Sequence, residues 1–523
     1  MSLVSTMTLE QVRALAVASP EARSQSFFQL AQTYAAEGVT ARVSGLIQRG
    51  WELASPAQRE ALLEAYRDFH LQMGTFEKAK AGVLRVALEH AWAGRVEKCL
   101  AYAEIWQYAY PRWIGEDSYS YDEGLLGALR LLAAPHRGAP VLPIRVAGEP
   151  LRVAYLVFGG THHNSVIVKL TQIFAKHHAK GSVLPGFFFP DTEAVLQQSL
   201  QGGEHLASFR GLGFTTHAAR GATELEGLLA LGRDIQAFNP HVLVTTAALA
   251  DFKHYFIASL FPHLPRIAQV SGPPPQFIPP DFDEGIAWTL HPLLDSPIPC
   301  SQVPLEIGLP DLGSVQLRTR SELGIPEGAV ILGAGGRQLK FRHLGFWQLI
   351  LRLLAAHPSA HFLAVGVKPE ELSGVLPQIG ADFVARIHLQ PWQNNYLGTL
   401  GVADLLLDTF PSGGGVVVQD MMALGRPVVA FANDYLEPFN QVAWSPAQEF
   451  LPSGDLRIPH GDEARYLAVA GRLIEDSAYR TELGEQVKDW IYQHFDRPDR
   501  MVRRCEQIYV KAYERRRDAP QPH

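Results

Sequence analysis

The sequence predicts an α/β protein, with two tandem parallel-sheet units behind an all-α N-terminal region. Three observations carry that expectation. From about residue 150, short apolar runs alternate with amphipathic stretches at helical spacing, the pattern that builds parallel sheets. The alternation restarts near residue 328, which splits it into two units. Before residue 140 the apolar residues recur only at helical spacing, as in Phe27, Phe28, Leu30, Ala31 and Tyr34, and again in Leu62, Leu63, Tyr66 and Phe69.

Within the N-terminal region three predicted helices end alike, with Tyr34, His70 and His90 each four residues before a glycine, at Gly38, Gly74 and Gly94. The step from Gly38 to Gly74 is near the length of a tetratricopeptide repeat. The step from Gly74 to Gly94 is much shorter, so the period is not kept. Two readings stand: a degenerate array of helical hairpins, or an ordinary helical domain. A Pro- and Gly-rich stretch over 134–143 reads as a linker.

In the first unit, strands are expected over 151–158, 183–189, 241–245, 266–270 and 286–290, with helices over 165–178 and 222–237. In the second, strands are expected over 329–334, 360–365, 385–389, 405–407 and 428–431, with a helix over 346–357 whose Phe346, Leu349, Ile350, Leu353 and Leu354 share one face. From about 461 the chain reads as helical again, and 519–523 as a frayed tail. The expected domains are therefore 1–140, 150–315 and 316–515. Two Rossmann-like units facing a cleft form the GT-B layout, and open α/β sheets bind ligands beyond their strand ends.

Composition narrows the function. Hydrophobic residues make up 47% and charged residues 19% of the 523, as in an ordinary globular protein. A net charge of −7 argues against nucleic-acid binding, and the one basic block, Arg515 to Arg517, reads as a solvated helix end. Cys99, Cys300 and Cys505 are odd in number and widely spaced, which fits a reducing cytoplasm and neither a disulfide frame nor a zinc site. The first ten residues lack a signal-peptide pattern, and no segment has the roughly 18 apolar residues of a membrane span.

The segment from 402 to 431 is the most informative. It reads as strand (405–407), glycine run (Gly413, Gly414, Gly415), helix beginning at Val416 and Val417, tight turn at Gly425-Arg-Pro427, and strand again. The first amides of such a helix have no intrahelical acceptor and bind phosphates. Asp420, a little over one turn in, falls within reach of a ribose hydroxyl.

The blocks around 151, 241, 266, 335, 402 and 505 resemble, in order, the catalytic region of the O-GlcNAc transferase family. They resemble less closely the bacterial cytoplasmic N-glucosyltransferases. Leu405-Leu-Leu-Asp-Thr-Phe-Pro411 is the most specific block, and Cys505 to Tyr513 looks like the family's closing helix. The resemblance implies a GT-B fold and a UDP-sugar donor. It casts Lys340, with Arg337 in reserve, as the ligand of the departing diphosphate, whose charge a cation and a helix N-terminus neutralise without a metal. A surface lysine is the plainer reading. It casts His163 as acceptor-orienting group or base, although His163 also suits a helix cap. His162, Gly272 and Gln276 are weaker acceptor-side candidates, and Tyr396 or Trp392 are candidates for base or ring contact.

The chain also departs from the family. Gly415, Val416 and Val417 stand where the family has a histidine and two threonines. An Asp before the 241 strand is absent, and Asn395-Tyr396 replaces a Glu-His pair. The glutamate pair of retaining GT-B enzymes is missing too, since its positions fall in the glycine run and at Gln419 or Asp420, which favours inversion. The expectation is an inverting, metal-independent transferase moving a sugar from a UDP donor to a polypeptide Ser, Thr or Asn. A helical array suits a chain-like acceptor. Two alternatives remain open: transfer to a small molecule or glycan precursor, and a catalytically inactive scaffold.

Overall fold

The computed structural model describes residues 18–519 apart from 37–39, 115–121, 139–140, 162–165, 179–180, 200–201, 247–250, 271–277, 289–295, 297, 373, 376, 378, 394, 412, 432–446, 453 and 455. It divides into two compact units. One comprises Met1–Ala109 with Asp122–Leu132, the other Tyr110–Tyr121 with Ala133–His523.

The first unit is all helical: α1 (Pro20–Ala36), α2 (Thr40–Leu53), α3 (Pro56–Gln72), α4 (Phe76–Trp92), α5 (Val96–Gln107) and α6 (Glu123–Ala133). Glycines leave room for aromatic rings between helices. A Cβ on Gly50 of α2 would lie 2.7 Å from the Phe28 ring of α1, and one on Gly82 of α4 would lie 2.8 Å from the Tyr66 ring of α3. Ser55 starts α3 with a reciprocal capping box to Gln58. The buried Arg59 pairs with Glu89 of α4 at 2.6 Å. The irregular glycine spacing now has a cause. Gly74 and Gly94 terminate the consecutive helices α3 and α4, each at positive φ (65° and 71°), so the shorter step is one helix and its turn.

The second unit holds two wholly parallel sheets, as the sequence predicts. The first has the order β3-β2-β1-β4-β5-β6-β7, with β1 (Leu151–Leu156), β2 (Val183–Thr192), β3 (Thr216–Ala219), β4 (Val242–Thr245), β5 (Arg266–Val270), β6 (Glu284–Ala287) and β7 (Cys300–Gln302). Its flanking helices are α7 (Val166–His177), α8 (Glu193–Gln198), α9 (Gly202–Gly211), α10 (Glu224–Phe238) and α11 (Phe252–Ser259). The second sheet has the order β10-β9-β8-β11-β12-β13. Its strands are β8 (Val330–Gly335), β9 (Ala360–Val365), β10 (Ile387–Gln390), β11 (Leu405–Leu407), β12 (Val428–Phe431) and β13 (Arg457–Ile458). Around it lie α12 (Leu344–Ala356), α13 (Ala381–Val384), α14 (Tyr396–Leu400), α15 (Val416–Ala423), α16 (Ala447–Phe450), α17 (Glu463–Glu475) and α18 (Ser477–Phe495). The closing helix α19 (Pro498–Asp518) packs Met501, Val502, Cys505 and Tyr509 into the core of the first sheet.

In each sheet the strand order reverses beside the first strand, between β1 and β4 and between β8 and β11. Those switch points open a crevice at the carboxyl ends of the strands. Two expectations change. The 134–143 stretch is no free tether, since Arg137 donates to the Ser259 carbonyl at 2.9 Å and the Tyr513 hydroxyl to the Pro143 carbonyl at 2.9 Å. Nor is the basic block simply solvated. Arg515 pairs with Glu284 and Arg516 with Asp283, because α19 lies along the first sheet. No helix among the described residues is long and apolar enough to cross a membrane.

Candidate functional site

The second sheet's switch point gathers several of the residues singled out above. After β8 the chain turns at Gly335 and Gly336, and a short 3-10 helix brings Lys340 back, so that its Nζ donates to the Gly413 carbonyl. After β11 the buried Asp408 accepts the Gly414 amide at 2.7 Å and fixes the glycine run. Gly415 then starts α15 without a side-chain cap, and the first amide to find an intrahelical acceptor is that of Val418, on the Gly415 carbonyl at 3.0 Å. The amides of Val416 and Val417 precede it and are the groups a helix offers to an anion.

Glycine is required here by packing. A Cβ on Gly414 would meet Val417 Cγ1 at 2.3 Å, and one on Gly335 would meet Leu400 at 2.7 Å and Val417 at 3.1 Å. Beyond β9, Gly366 has φ 109°, and a Cβ there would sit 2.0 Å from the Gly336 carbonyl oxygen and 3.2 Å from the Trp392 ring. The turns after β8 and β9 therefore meet backbone to backbone, with the Trp392 ring after β10 packed against them.

Asp420 faces the same region from α15. It is only 7% exposed and accepts a hydrogen bond from the Tyr396 hydroxyl. Burial pushes its carboxyl up to about 6, against the pull of Lys169 in α7 of the first-sheet lobe. Next to it, Gln419 Nε2 donates to the Leu305 carbonyl at 2.9 Å and ties α15 to the segment connecting the two lobes.

The structure thus brings together Lys340, Gly413, Gly414, Gly415, Val416, Val417, Tyr396 and Asp420. Arg337 lies exposed on the same turn as Lys340. His162, His163, Gly272 and Gln276 lie outside the described residues, so the acceptor-side candidates have no geometry. Beside their loop, the Thr246 hydroxyl accepts the Phe158 amide at 2.9 Å and donates to the Leu156 carbonyl at 3.0 Å, joining the ends of β1 and β4. The glycine pair there serves the fold: Gly159 has φ 75°, and a Cβ on Gly160 would lie 2.8 Å from Leu196.

Sequence reasoning gave no role to Asp408, Lys169 or His254. Asp408 lies inside the most specific block, so its signal was present. The buried His254 sits 3.2 Å from the Thr245 hydroxyl, and burial pushes its imidazole down to about 3. Nothing local in the sequence marks it. A separate cavity of about 200 Å³, lined by Gly138, Gly232, Gln236 and Leu260, lies where α10 and α11 end, away from both switch points. Among the described residues no three His, Cys, Asp or Glu side chains cluster as metal ligands.

No family model matches this sequence, and no curated protein matches it. Solved structures do match. A mutant of the O-GlcNAc transferase of Thermobaculum terrenum superposes with a TM-score of 0.57 at 14% identity, covering 96% of this chain and 99% of that one. HepE of Anabaena, in complex with UDP and glucose, gives 0.48 at 12% identity over 69% and 99%. The architecture is that of a GT-B protein with a helical N-terminal region. The first of these structures shares it along nearly its whole length.

Proposed function

We propose that this chain is an inverting glycosyltransferase that takes a sugar from a UDP-linked donor and places it on a polypeptide side chain. The observation that carries the reading is Lys340 reaching over the glycine run beside the first amides of α15, at the switch point of the second sheet. Inversion is a single displacement. The acceptor's nucleophile attacks the anomeric carbon, the bond to the diphosphate oxygen breaks, and the acceptor proton leaves to a base. The departing diphosphate gains charge, which the Lys340 ammonium and the Val416 and Val417 amides are placed to stabilise. That cation and helix terminus do the work for which other transferases recruit a metal, so activity is expected in EDTA. Asp420 takes the ribose of the donor, Tyr396 borders the base, and Arg337 is a second cation for the diphosphate.

A protein acceptor draws support from the helical unit and from the fold shared with an O-GlcNAc transferase. His163 remains the candidate for orienting or deprotonating the acceptor. Three cysteines without disulfides accord with a reducing, cytoplasmic setting. One observation favours a second reading. Val416 and Val417 bring no hydroxyl to the phosphate helix, which suits a binding scaffold that has lost transfer.

The test is calorimetric titration with UDP, and GDP as control, in EDTA. UDP-selective binding is expected, weakened about ten- to a hundredfold by Lys340→Ala, since a charged hydrogen-bond partner contributes about 1.5–3 kcal/mol. Absence of binding to either nucleotide would overturn the donor reading. Binding without hydrolysis or transfer to any co-expressed protein would establish the scaffold.

A further inference from the structure

Lys169 belongs to the first lobe, yet its charge acts on the second. It lies in the first turn of α7, the helix that follows β1, and β1 borders the first sheet's switch point. In a parallel sheet the helix after a strand begins at that strand's carboxyl end, so this turn rises beside the crevice. The same rule puts Asp420, a little over one turn into α15, beside the switch point of the second sheet. Val168, Leu170 and Phe174 are buried in the core of the first sheet and fix the rotation of α7, whereas Lys169 is exposed.

Contacts away from the crevice hold the lobes in place. His178, just past the far end of α7, bonds Glu506 of α19 at 2.8 Å. Arg500 of α19 pairs with Glu306 in the connecting segment at 2.6 Å, and Asp496 accepts the Leu309 amide at 3.0 Å. Across the crevice, Lys169 is the one charged side chain among the described residues that acts on Asp420. The two are not paired. Lys169 makes no hydrogen bond or ion pair among the described residues, and the Tyr396 hydroxyl donates to Asp420 Oδ2. The donor lobe therefore sets a carboxylate near the place of a bound nucleotide, while Lys340 Nζ already donates to the Gly413 carbonyl. A nucleoside diphosphate carries more negative charge than one ammonium offsets.

We propose that Lys169 binds the diphosphate of the nucleotide from the first lobe, so that the donor is held by a cation on each side of the crevice. The inference rests on the donor reading given above. It adds to that reading a contact from the opposite lobe, made only when the nucleotide fills the crevice.

The experiment is calorimetric titration of UDP on wild type, Lys169→Met, Lys169→Arg and Lys340→Ala, and on Asp420→Asn with and without Lys169→Met. Lys169→Met should weaken UDP about tenfold, the lower end for losing a charged hydrogen-bond partner, because the ammonium is exposed before binding. Lys169→Arg, whose guanidinium also pairs with phosphate, should bind UDP within about threefold of wild type. Uridine lacks the diphosphate and, measured by competition with UDP, should bind wild type and Lys169→Met alike. The loss caused by Lys169→Met should persist in Asp420→Asn, since the contact is to the nucleotide. An unchanged melting temperature would show that substitution at this exposed position leaves the fold in place. Equal weakening of uridine and UDP, or disappearance of the loss in Asp420→Asn, would show that Lys169 acts only through Asp420 and would overturn the inference. Unchanged UDP affinity in Lys169→Met, with weakening by Lys340→Ala, would overturn it too and leave the donor reading intact. No binding of UDP to the wild type would overturn both.

Discussion

Gly414 joins the fold to the chemistry at a single residue. Its amide is held by Asp408 and its missing side chain makes room for Val417. Gly414→Ala should therefore weaken UDP binding more than tenfold and lower the melting temperature, because neither the valine on α15 nor the buried carboxylate has space to give. Calorimetry on the variant checks both. Asp420 makes a second prediction. Its folded carboxyl titrates near 6, above the ordinary 3.8 of an aspartate, because burial disfavours the charge. The folded state thus holds this proton more tightly than the unfolded chain does. The group favours folding at low pH, and its cost is fully present above about 6. On the proposed role of Asp420 at the donor ribose, binding calls for the ionised form, so UDP affinity should fall below about pH 6. The part of that fall due to Asp420 should be absent in Asp420→Asn, whereas the titration of UDP itself remains.

Among the elements, the loops at the strand ends carry the tightest constraints. Gly366 has a backbone conformation that side chains rarely adopt, and no Cβ fits against the Gly336 carbonyl. Gly366→Ala should destabilise the second sheet by about 3 kcal/mol or more, read as a lower denaturation midpoint, since strain and overlap act together. Long apolar elements were legible from the sequence. The helix carrying Phe346, Leu349 and Leu353 and the strands at 151, 242, 330 and 360 fall within a few residues of expectation, because burial on both sides of a parallel strand leaves an apolar run. Strands β3, β7 and β13 were missed. They lie at the sheet edges, and Thr216-His-Ala-Ala219, Cys300-Ser-Gln302 and Arg457-Ile458 have neither the length nor the apolar content that marks a central strand.

At the scale of the whole second unit, the closing helix holds the first sheet through buried polar groups. The Tyr155 hydroxyl bonds the His178 ring at 2.8 Å, His178 bonds Glu506 of α19 at 2.8 Å, and Gln269 donates to the Tyr509 hydroxyl at 2.9 Å. Burial lowers the pKa of His178, and it holds His241 near 4 and His254 near 3, against an ordinary 6.5. Each is a base whose folded pKa is depressed. The unfolded chain takes up protons as pH drops below 6.5 while the folded unit does not, so stability present at neutral pH is lost progressively toward pH 4. Denaturation midpoints measured from pH 7 down to 4.5 should fall steadily. A flat profile would show these imidazoles to be accessible in the folded state.

What the sequence determined by itself is the class of the fold and the backbone character of the glycine loop after β11. Periodicity, glycine placement and the block from 405 to 411 are local properties, and local sequence sets them directly. Tertiary structure alone decided the partnerships. That Lys340 meets Gly413, that Tyr396 takes hold of Asp420, that Lys169 acts on it from the other lobe and that Glu506 answers His178 all depend on strand order and helix packing. Those residues are far apart along the chain, and only the order of the parallel strands and the return of the last helix bring them together.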